Sequence, residues 1–303
     1  MSPIIPVIAG PTAVGKTAVS VALAGLLDAE IISADSRQIY APFRIGTARP
    51  TEVELQKVAH HLIGELPLDA PYSAGLFAQR LQRIIPDLRA RDKRGIVVGG
   101  STLYVHALIE GLSDIPPIEP GIRDILNAEL EDRGSEALYA ELLKVDPVFA
   151  ATVDPSKSQR IVRGLEVFRG TATPLSQFHQ PPPLADQRYQ LIVLHVDRDM
   201  LYARIDQRVD DMISEGLLEE CSRALEMAPD RTLNAWRTIG YQEILPWLDG
   251  KYDLEEAIRL IKRNSRRYAK RQLTWYRRYT EAVWIETADR DSADIAEQIL
   301  KMI

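Results

Sequence analysis

The chain has 303 residues, of which 46% are hydrophobic and 26% are charged, with a formal net charge of −6 and one cysteine. This composition is typical of globular proteins and excludes disordered and fibrous chains, and the single cysteine excludes a disulfide framework. The longest mainly apolar stretch, residues 18–27, falls far short of the roughly 20 residues that a membrane span needs. Because the start also lacks the basic segment of a secretory signal, we expect a cytoplasmic protein of about two domains.

Short apolar runs of β-prone residues alternate with helix-like segments in much of the chain. Such alternation is typical of an α/β fold with a mainly parallel sheet flanked by helices. The predicted strands are residues 4–9, 30–34, 95–99 and 190–196, and the predicted helices between them include residues 16–27 and 102–110.

The middle of the chain differs, because residues 122–178 show helical periodicity and no convincing strand. Proline clusters at 116–120 and 181–183 flank this stretch, and such clusters form semi-rigid connectors. We therefore expect an inserted all-helical domain at residues 115–187. Residues 1–114 would form the first part of the core. Residues 188–303 would complete the core, with helix from about residue 200 to the end.

Residues 10–17, Gly-Pro-Thr-Ala-Val-Gly-Lys-Thr, match the phosphate-binding motif G-x-x-x-x-G-K-[ST] in full. They follow a predicted strand and open a predicted helix, which is the context that this P-loop motif requires. Backbone amides, the Lys16 charge and the helix N-terminus would hold a di- or triphosphate, and the Thr17 hydroxyl would bind Mg²⁺. The predicted cradle consists of Gly10, Pro11, Thr12, Ala13, Val14, Gly15, Lys16 and Thr17.

Two aspartates follow predicted strands and are candidates for work on the bound phosphate. Asp35 ends the second strand, and Asp197 follows the strand at residues 190–196. The carboxyl ends of parallel strands face the ligand crevice, although Asp35-Ser36 is also typical of a turn or a helix N-cap. No Asn-Lys-x-Asp guanine-binding motif occurs, so a GTPase is not expected.

A basic segment at residues 257–280 contains nine Lys or Arg residues and no acidic residue. It is either a solvated helix face that pairs with acids elsewhere or a surface for nucleic acid. Tyr268, Trp275, Tyr276 and Tyr279 lie among the cations, where aromatic rings could pack in a core or stack on bases. The cations are Arg259, Lys262, Arg263, Arg266, Arg267, Lys270, Arg271, Arg277 and Arg278.

Neither the histidines nor the cysteine indicates a further site. The five histidines show no metal-ligand spacing. Cys221 stands beside Glu219 and Glu220, whose charges disfavour a thiolate nucleophile.

Several sequence blocks together closely resemble the bacterial tRNA isopentenyltransferase (IPP transferase) family. The P-loop alone is generic, but Asp-Ser-Arg-Gln-Ile-Tyr at 35–40 and Lys-Arg-Gln-Leu-Thr-Trp at 270–275 are specific. The resemblance runs in family order over about residues 4–280. The other matching blocks are residues 46–50, 72–75, 98–104, 159–167 and 239–243.

The resemblance implies a prenyl transfer. Family members move a dimethylallyl group from dimethylallyl diphosphate to the exocyclic amino group of adenosine 37, next to the anticodon, in tRNAs that read codons beginning with U. It implies that the P-loop and Mg²⁺ hold the diphosphate and that Arg208 contacts this leaving group. It also implies that Asp35 is the general base, which suits a delocalised and hence poor amine nucleophile.

The resemblance also implies a set of tRNA contacts, with the helical insertion touching the anticodon loop and the basic segment gripping stem phosphates. At position 101 the family usually has threonine, and serine keeps the hydroxyl. We expect a monomer that binds tRNA and dimethylallyl diphosphate and no membrane. The implied contacts are Asp35, Ser36, Arg37, Gln38, Ser101, Arg123, Gln159, Arg160, Ile161, Val162, Arg163, Arg237, Thr238, Ile239, Gly240, Tyr241, Gln242, Lys270 and Arg271.

Three other functions use some of the same features. An adenine-nucleotide isopentenyltransferase of cytokinin type would share the P-loop and Asp35 but would not need the basic segment. A small-metabolite kinase would use ATP as donor, and a non-catalytic RNA-binding switch would only sense a nucleotide. Binding to stem phosphates should weaken steeply between about 50 and 200 mM salt, and binding of a small nucleotide much less.

Overall fold

In the computed structural model, which describes residues 4–178 and 188–303, the chain forms two compact units. One unit combines Met1–Ile109 with Pro183–Ile303, and the other is Glu110–Pro182. The second unit is thus an insertion in the sequence of the first. Among the helices of the described residues, none combines the length and the apolar character that a membrane span requires.

The first unit is built on one parallel sheet. Its strands among the described residues are β1 (Ile4–Ala9), β2 (Ala29–Ser33), β3 (His60–His61), β4 (Arg94–Val98), β5 (Arg188–His195) and β6 (Val283–Glu286). They follow the order β3-β2-β4-β1-β5-β6, and every pairing is parallel. This confirms the predicted α/β fold with a mainly parallel sheet.

Helices flank this sheet and also make up the second unit. They are α1 (Lys16–Leu27), α2 (Glu52–Lys57), α3 (Ala74–Ala90), α4 (Thr102–Ile109), α5 (Pro120–Val145), α6 (Pro147–Ala150), α7 (Ser158–Thr171), α8 (Arg198–Ser214), α9 (Leu217–Met227), α10 (Tyr241–Leu248), α11 (Leu254–Tyr276) and α12 (Ser292–Leu300). The prediction of uninterrupted helix after residue 200 is wrong at β6. That strand has four residues and only Ile285 is buried, so it leaves almost no alternating pattern in the sequence.

The core of the first unit joins the central strands to three helices. Ile8 of β1 and Ile192 of β5 are fully buried together with Leu23 of α1 and Ile299 of α12, and Ile205 of α8 is 1% exposed. Burial of each such side chain contributes about 1.5–3 kcal/mol. The N-termini of α1 and α8 are thereby fixed at the carboxyl edge of the sheet.

The described residues of the second unit contain helices and no strand, with α5, α6 and α7 packed around Leu138, Leu142 and Ile161. A positive φ of 78° at Gly134 interrupts α5. In α7, a β-carbon at Gly164 would lie 2.7 Å from Leu142 Cδ1, so a larger residue there would require the Leu142 and Phe149 side chains to shift.

Three loops pack against one another where β1, β2 and β4 end. Ala34 donates its N–H to Val98 O at 2.7 Å, and Gly99 donates to Ile8 O at 3.1 Å. A β-carbon at Gly99 would lie 2.1 Å from Ala34 O, so this approach requires glycine. The P-loop, the segment that begins at Asp35 and the Gly99-Gly100 turn are therefore brought to one edge of the sheet.

Candidate active site

A cavity of about 710 Å³ opens at this carboxyl edge within the first unit. It is large enough for a small-molecule ligand, since such sites measure about 300–1,000 Å³. The predicted site residues that line it are Thr12, Gly15, Lys16, Thr17, Asp35, Ser36, Arg37, Gln38, Arg208, Arg237, Thr238, Ile239, Gln242 and Arg271. Residues that lie more than 200 positions apart in the sequence thus share one cavity.

The P-loop adopts a curled backbone that depends on its glycines. Gly10 and Gly15 have φ values of 139° and 94°, and a β-carbon at Gly10 would meet Leu194 O at 2.4 Å. Lys16 lies inside the curl and donates from Nζ to Gly10 O at 3.1 Å and Pro11 O at 2.7 Å. Its ammonium is therefore held at the loop that precedes α1, where an anion would bind.

Two cations and one carboxylate set the electrostatics beside the P-loop. Burial, aided by the Arg208 charge and opposed by Asp35, lowers the pKa of Lys16 to about 8. Burial also lowers the pKa of Arg208, whose guanidinium donates to Thr12 Oγ1 at 3.3 Å. Both pKa values are lowered because a positive charge is buried away from water without enough negative charge nearby. A bound anionic ligand would supply that negative charge.

Asp35 is half-buried and its carboxylate is held in one orientation. Oδ1 accepts the backbone N–H groups of Arg37 at 2.8 Å and Gln38 at 3.3 Å, so the predicted turn is present. Oδ2 has no hydrogen-bond partner among the described residues. Asp197 instead caps α8 by accepting the Asp199 N–H at 2.8 Å, and it does not line the cavity. Of the two candidate carboxylates, only Asp35 can meet a ligand there.

Ser101 and Gln38 support the segment around Asp35. Ser101 is 7% exposed, and its hydroxyl accepts the Ser36 N–H at 2.8 Å. The Gln38 amide accepts from the Ser33 hydroxyl at 3.1 Å and donates to Thr47 O and to Ala48 O at 3.2 Å each. Both donor hydrogens of Gln38 are therefore already used by the protein.

Some predicted contact positions have no accessible side chain. Tyr241, Ile161 and Val162 are fully buried, and Thr238 is 5% exposed. The Tyr241 hydroxyl donates to the buried Glu220 carboxylate. At Tyr241, Ile161 and Val162 a ligand could meet backbone or exposed neighbours but not these side chains.

In the second unit, the predicted residues gather around one buried carboxylate. Glu166 accepts Arg163 at 2.8 Å and Arg123 at 3.3 Å, and Arg123 also reaches Gln159 Oε1 at 3.5 Å. Gln159 and Arg160 are exposed on the first turn of α7. Three positions that the family resemblance selected, Arg123, Gln159 and Arg163, thus form one polar cluster around Glu166.

The basic segment divides into paired and unpaired cations. Arg259 pairs with Glu256 at 2.6 Å, Lys262 pairs with Asp210 at 2.6 Å, and Arg266 pairs with Asp206. The cations with no ion-pair partner among the described residues are Arg263, Arg267, Lys270, Arg271, Arg277 and Arg278. Arg267 and Arg271 line the cavity. Three of the nine cations thus pair with acids, as the first interpretation expects, and the interpretation as a surface for nucleic acid stays a prediction for the other six.

The sequence analysis did not select two buried polar residues that support the cavity walls. Gln272 bridges Thr12 and Gly100, and it lies within the specific block at 270–275, which was the available signal. Glu220 accepts the backbone N–H groups of residues 44–46 at 3.0 to 3.2 Å. Only its place on the amphipathic helix α9 could have suggested that Glu220 is buried.

Within the described ranges, no group of three or more His, Cys, Asp or Glu side chains could hold a metal ion. The side chain predicted to bind a metal, Thr17, lies on the cavity wall in the first turn of α1. Mg²⁺ commonly uses one or two protein ligands together with phosphate oxygens and water. The residues present therefore fit a magnesium ion that arrives with a phosphorylated ligand.

Comparison with known proteins gives a consistent result over nearly the whole chain. The family model described as IPP transferase matches residues 38–279. The tRNA dimethylallyltransferase of Salinibacter ruber is 47% identical over 291 residues, which are 96% of this chain and 90% of that protein.

Two solved structures are similar to the whole chain. The tRNA isopentenylpyrophosphate transferase from Bacillus halodurans is 38% identical, with a TM-score of 0.71, over 99% of this chain and 96% of that one. A eukaryotic dimethylallyltransferase acting on tRNA is 27% identical, with a TM-score of 0.82, over 99% of this chain and 78% of that one.

Proposed function

This chain belongs to the IPP transferase family, and we propose that it transfers a dimethylallyl group from dimethylallyl diphosphate to an adenosine in tRNA. The acceptor would be the exocyclic amino group of adenosine 37, next to the anticodon, in tRNAs that read codons beginning with U. The observation that carries the proposal is the shared cavity. A P-loop with two desolvated cations and an oriented carboxylate face the same space.

The P-loop side of the cavity suits the leaving group. Lys16 and Arg208 would balance the charge that develops on the diphosphate as the bond between carbon and oxygen breaks. Such preorganised charge stabilises a transition state more than it would in water, because the cations are already desolvated. The Thr12 hydroxyl holds Arg208 at 3.3 Å and so keeps this cation beside the loop.

Thr17 is the residue that would hold Mg²⁺ together with the diphosphate oxygens. When bound, the ion would add positive charge next to the leaving group.

Asp35 would serve as the general base. The amino nitrogen forms a bond to the first carbon of the dimethylallyl group, the bond from that carbon to the diphosphate breaks, and a proton passes from the nitrogen to Asp35 Oδ2. The hydrogen bonds from the N–H groups of Arg37 and Gln38 to Oδ1 fix the carboxylate. Oδ2 is then the atom available to take the proton, a role worth roughly 10²–10⁴-fold in rate.

The tRNA would be held by cations that the protein leaves unpaired. Arg267 and Arg271 reach the cavity from α11, and Lys270 is exposed beside them. The target base must leave the anticodon-loop stack to enter the cavity, and a loop base unstacks more cheaply than one in a duplex. The cluster of Arg123, Gln159 and Arg163 around Glu166 is proposed to contact the anticodon loop.

A nucleotide-specific prenyltransferase is the alternative, and the same cavity would serve it. The test is transfer of labelled dimethylallyl from its diphosphate with Mg²⁺, offering unmodified tRNA, AMP, ADP and ATP as separate acceptors. We expect label in tRNA alone. Label in a free nucleotide would favour the cytokinin-type activity, and ATP hydrolysis without any transfer would favour a kinase or a nucleotide-sensing switch.

A further inference from the structure

Gln272 is a buried polar side chain that links two loops of the cavity. It lies in α11 and is 2% exposed. Its Oε1 accepts the backbone N–H of Thr12 at 3.1 Å, and its Nε2 donates to Gly100 O at 2.8 Å. One carboxamide thus satisfies a donor in the P-loop and an acceptor in the turn after β4.

Each end of this bridge continues toward a reacting group. On one side, the Thr12 hydroxyl accepts the Arg208 guanidinium at 3.3 Å. On the other side, Gly100 precedes Ser101, whose N–H donates to Ala34 O at 3.3 Å and whose hydroxyl accepts the Ser36 N–H at 2.8 Å. The bridge therefore connects the P-loop with the segment that carries Asp35.

The chemistry of the bridge requires an amide. Thr12 offers a hydrogen and Gly100 offers lone pairs, so the linking side chain must accept at one atom and donate at the other. A methionine would match the length but would leave the Thr12 N–H without this acceptor and would leave Gly100 O with only the Tyr268 hydroxyl, at 3.4 Å. A carboxylate would accept from Thr12 and would repel Gly100 O.

The same helix presents cations to the cavity. Arg271 is the neighbour of Gln272, and Arg267 lies about one turn earlier, and both line the cavity. The Tyr268 hydroxyl reaches Gly100 O at 3.4 Å, and the Arg271 guanidinium lies 5.7 Å from the Tyr268 ring. A nucleic acid bound by these cations would contact α11, the helix whose Gln272 links the P-loop to the turn after β4.

We propose that Gln272 is a positioning residue that sets the spacing between the diphosphate cradle and Asp35. This inference rests on the proposed prenyl transfer. It assigns Gln272 no contact with either substrate, so its loss should slow the transfer step with little change in tRNA affinity. Small misplacements of reacting groups cost roughly 10²-fold in rate.

The test measures single-turnover transfer at saturating donor and tRNA, with each rate divided by the folded fraction. For Gln272→Met we expect a rate lower by roughly 10–100-fold, with tRNA affinity within about threefold of wild type. The matched control is Gln298→Met, the same change at a residue of α12 that does not line the cavity. The Gln298 side-chain oxygen accepts a hydrogen bond from the Arg290 guanidinium. That control should retain the wild-type rate.

Gln272→Glu adds a readout that simple destabilisation would not move. When its carboxyl is protonated, it can accept from Thr12 and donate to Gly100 O, as the amide does. Burial raises the pKa of such a carboxyl, so the rate relative to wild type should rise as the pH falls from 8 to 6. For Gln272→Met this ratio should not change with pH, and if Gln272→Met fails to fold, the Glu variant decides.

Rates per folded molecule within about twofold of wild type in the variants that fold, or a ratio for Gln272→Glu that is flat with pH, would overturn the inference. A wild-type chain that transfers no label refutes the proposed function and this inference with it. A wild-type chain that transfers label while Gln272→Met keeps the wild-type rate refutes this inference alone.

Discussion

Replacement of Asp35 by asparagine separates the two tasks that its carboxylate performs. One oxygen holds the turn by accepting the N–H groups of Arg37 and Gln38, and the amide oxygen of asparagine can do the same. The other oxygen is the proposed proton acceptor, and an amide nitrogen cannot take that proton. Asp35→Asn should therefore keep the turn and remove the base.

The expected loss of rate is roughly 10²–10⁴-fold, the usual contribution of a general base, or about 3–5 kcal/mol in the barrier at 1.36 kcal/mol per decade. Asp35→Ala would also lose both hydrogen bonds to the turn, at about 1 kcal/mol each. The Ala variant should therefore melt earlier than the Asn variant, although both should be slow.

The assay is single-turnover transfer to tRNA at pH 7, together with tRNA binding and thermal melting. The pH matters because Asp35 opposes the lowering of the Lys16 pKa, so its loss would push that pKa below about 8. At pH 7, about one unit below the pKa of about 8 in wild type, most of the wild-type Lys16 is protonated. A rate for Asp35→Asn within threefold of wild type would refute the assignment of Asp35 as the base.

Three further predictions address the donor site, the tRNA surface and the cavity wall. Because burial lowers the pKa of Lys16 to about 8, the ammonium loses its proton as the pH rises through that value, and the affinity for dimethylallyl diphosphate should fall above pH 8. Titration calorimetry should show this fall in wild type and not in Lys16→Arg. Equal pH profiles for the two proteins would contradict the prediction. Lys270→Ala combined with Arg271→Ala should weaken tRNA binding and make the slope of log affinity against log salt concentration shallower by about 1 per cation lost. Arg259→Ala, which removes a cation paired with Glu256, should leave that slope unchanged. Equal slopes for the two variants would assign the segment to structural ion pairing. Glu220→Ala removes the acceptor of three backbone N–H groups at residues 44–46 and of the Tyr241 hydroxyl. At roughly 1 kcal/mol for each donor, it should lower the free energy of unfolding by about 4 kcal/mol. Denaturant unfolding checks this, and a loss below about 0.5 kcal/mol would argue against that anchoring.

The elements that the sequence predicted well are those with a strong local pattern. β1 and α1 have the predicted bounds of 4–9 and 16–27, because an apolar run, a glycine-rich turn and an alanine-rich helix leave unambiguous signals. β3 and β6 were missed, since strands of two and four residues derive their stability from their sheet neighbours. Their pairing partners are distant in the chain, which no local window contains.

The site shows the same division between local and long-range information. The P-loop could be predicted from its motif alone, because its glycines and lysine act within eight residues. The burial of Tyr241 against Glu220 and the bridge from Gln272 to Thr12 depend on contacts across 21 and 260 positions. The pairing of Lys262 with Asp210 likewise showed that a segment without internal acids can still be neutralised from another helix.

The measurement that tests the central claim most directly locates the product on the RNA. Unmodified tRNA for a codon that begins with U would be incubated with the protein, dimethylallyl diphosphate and Mg²⁺, then cut with nucleases and weighed by mass spectrometry. We predict one added dimethylallyl group, confined to the fragment with adenosine 37 and absent with Asp35→Asn. A prenyl group on another nucleotide, or unmodified tRNA beside prenylated AMP, would contradict the account.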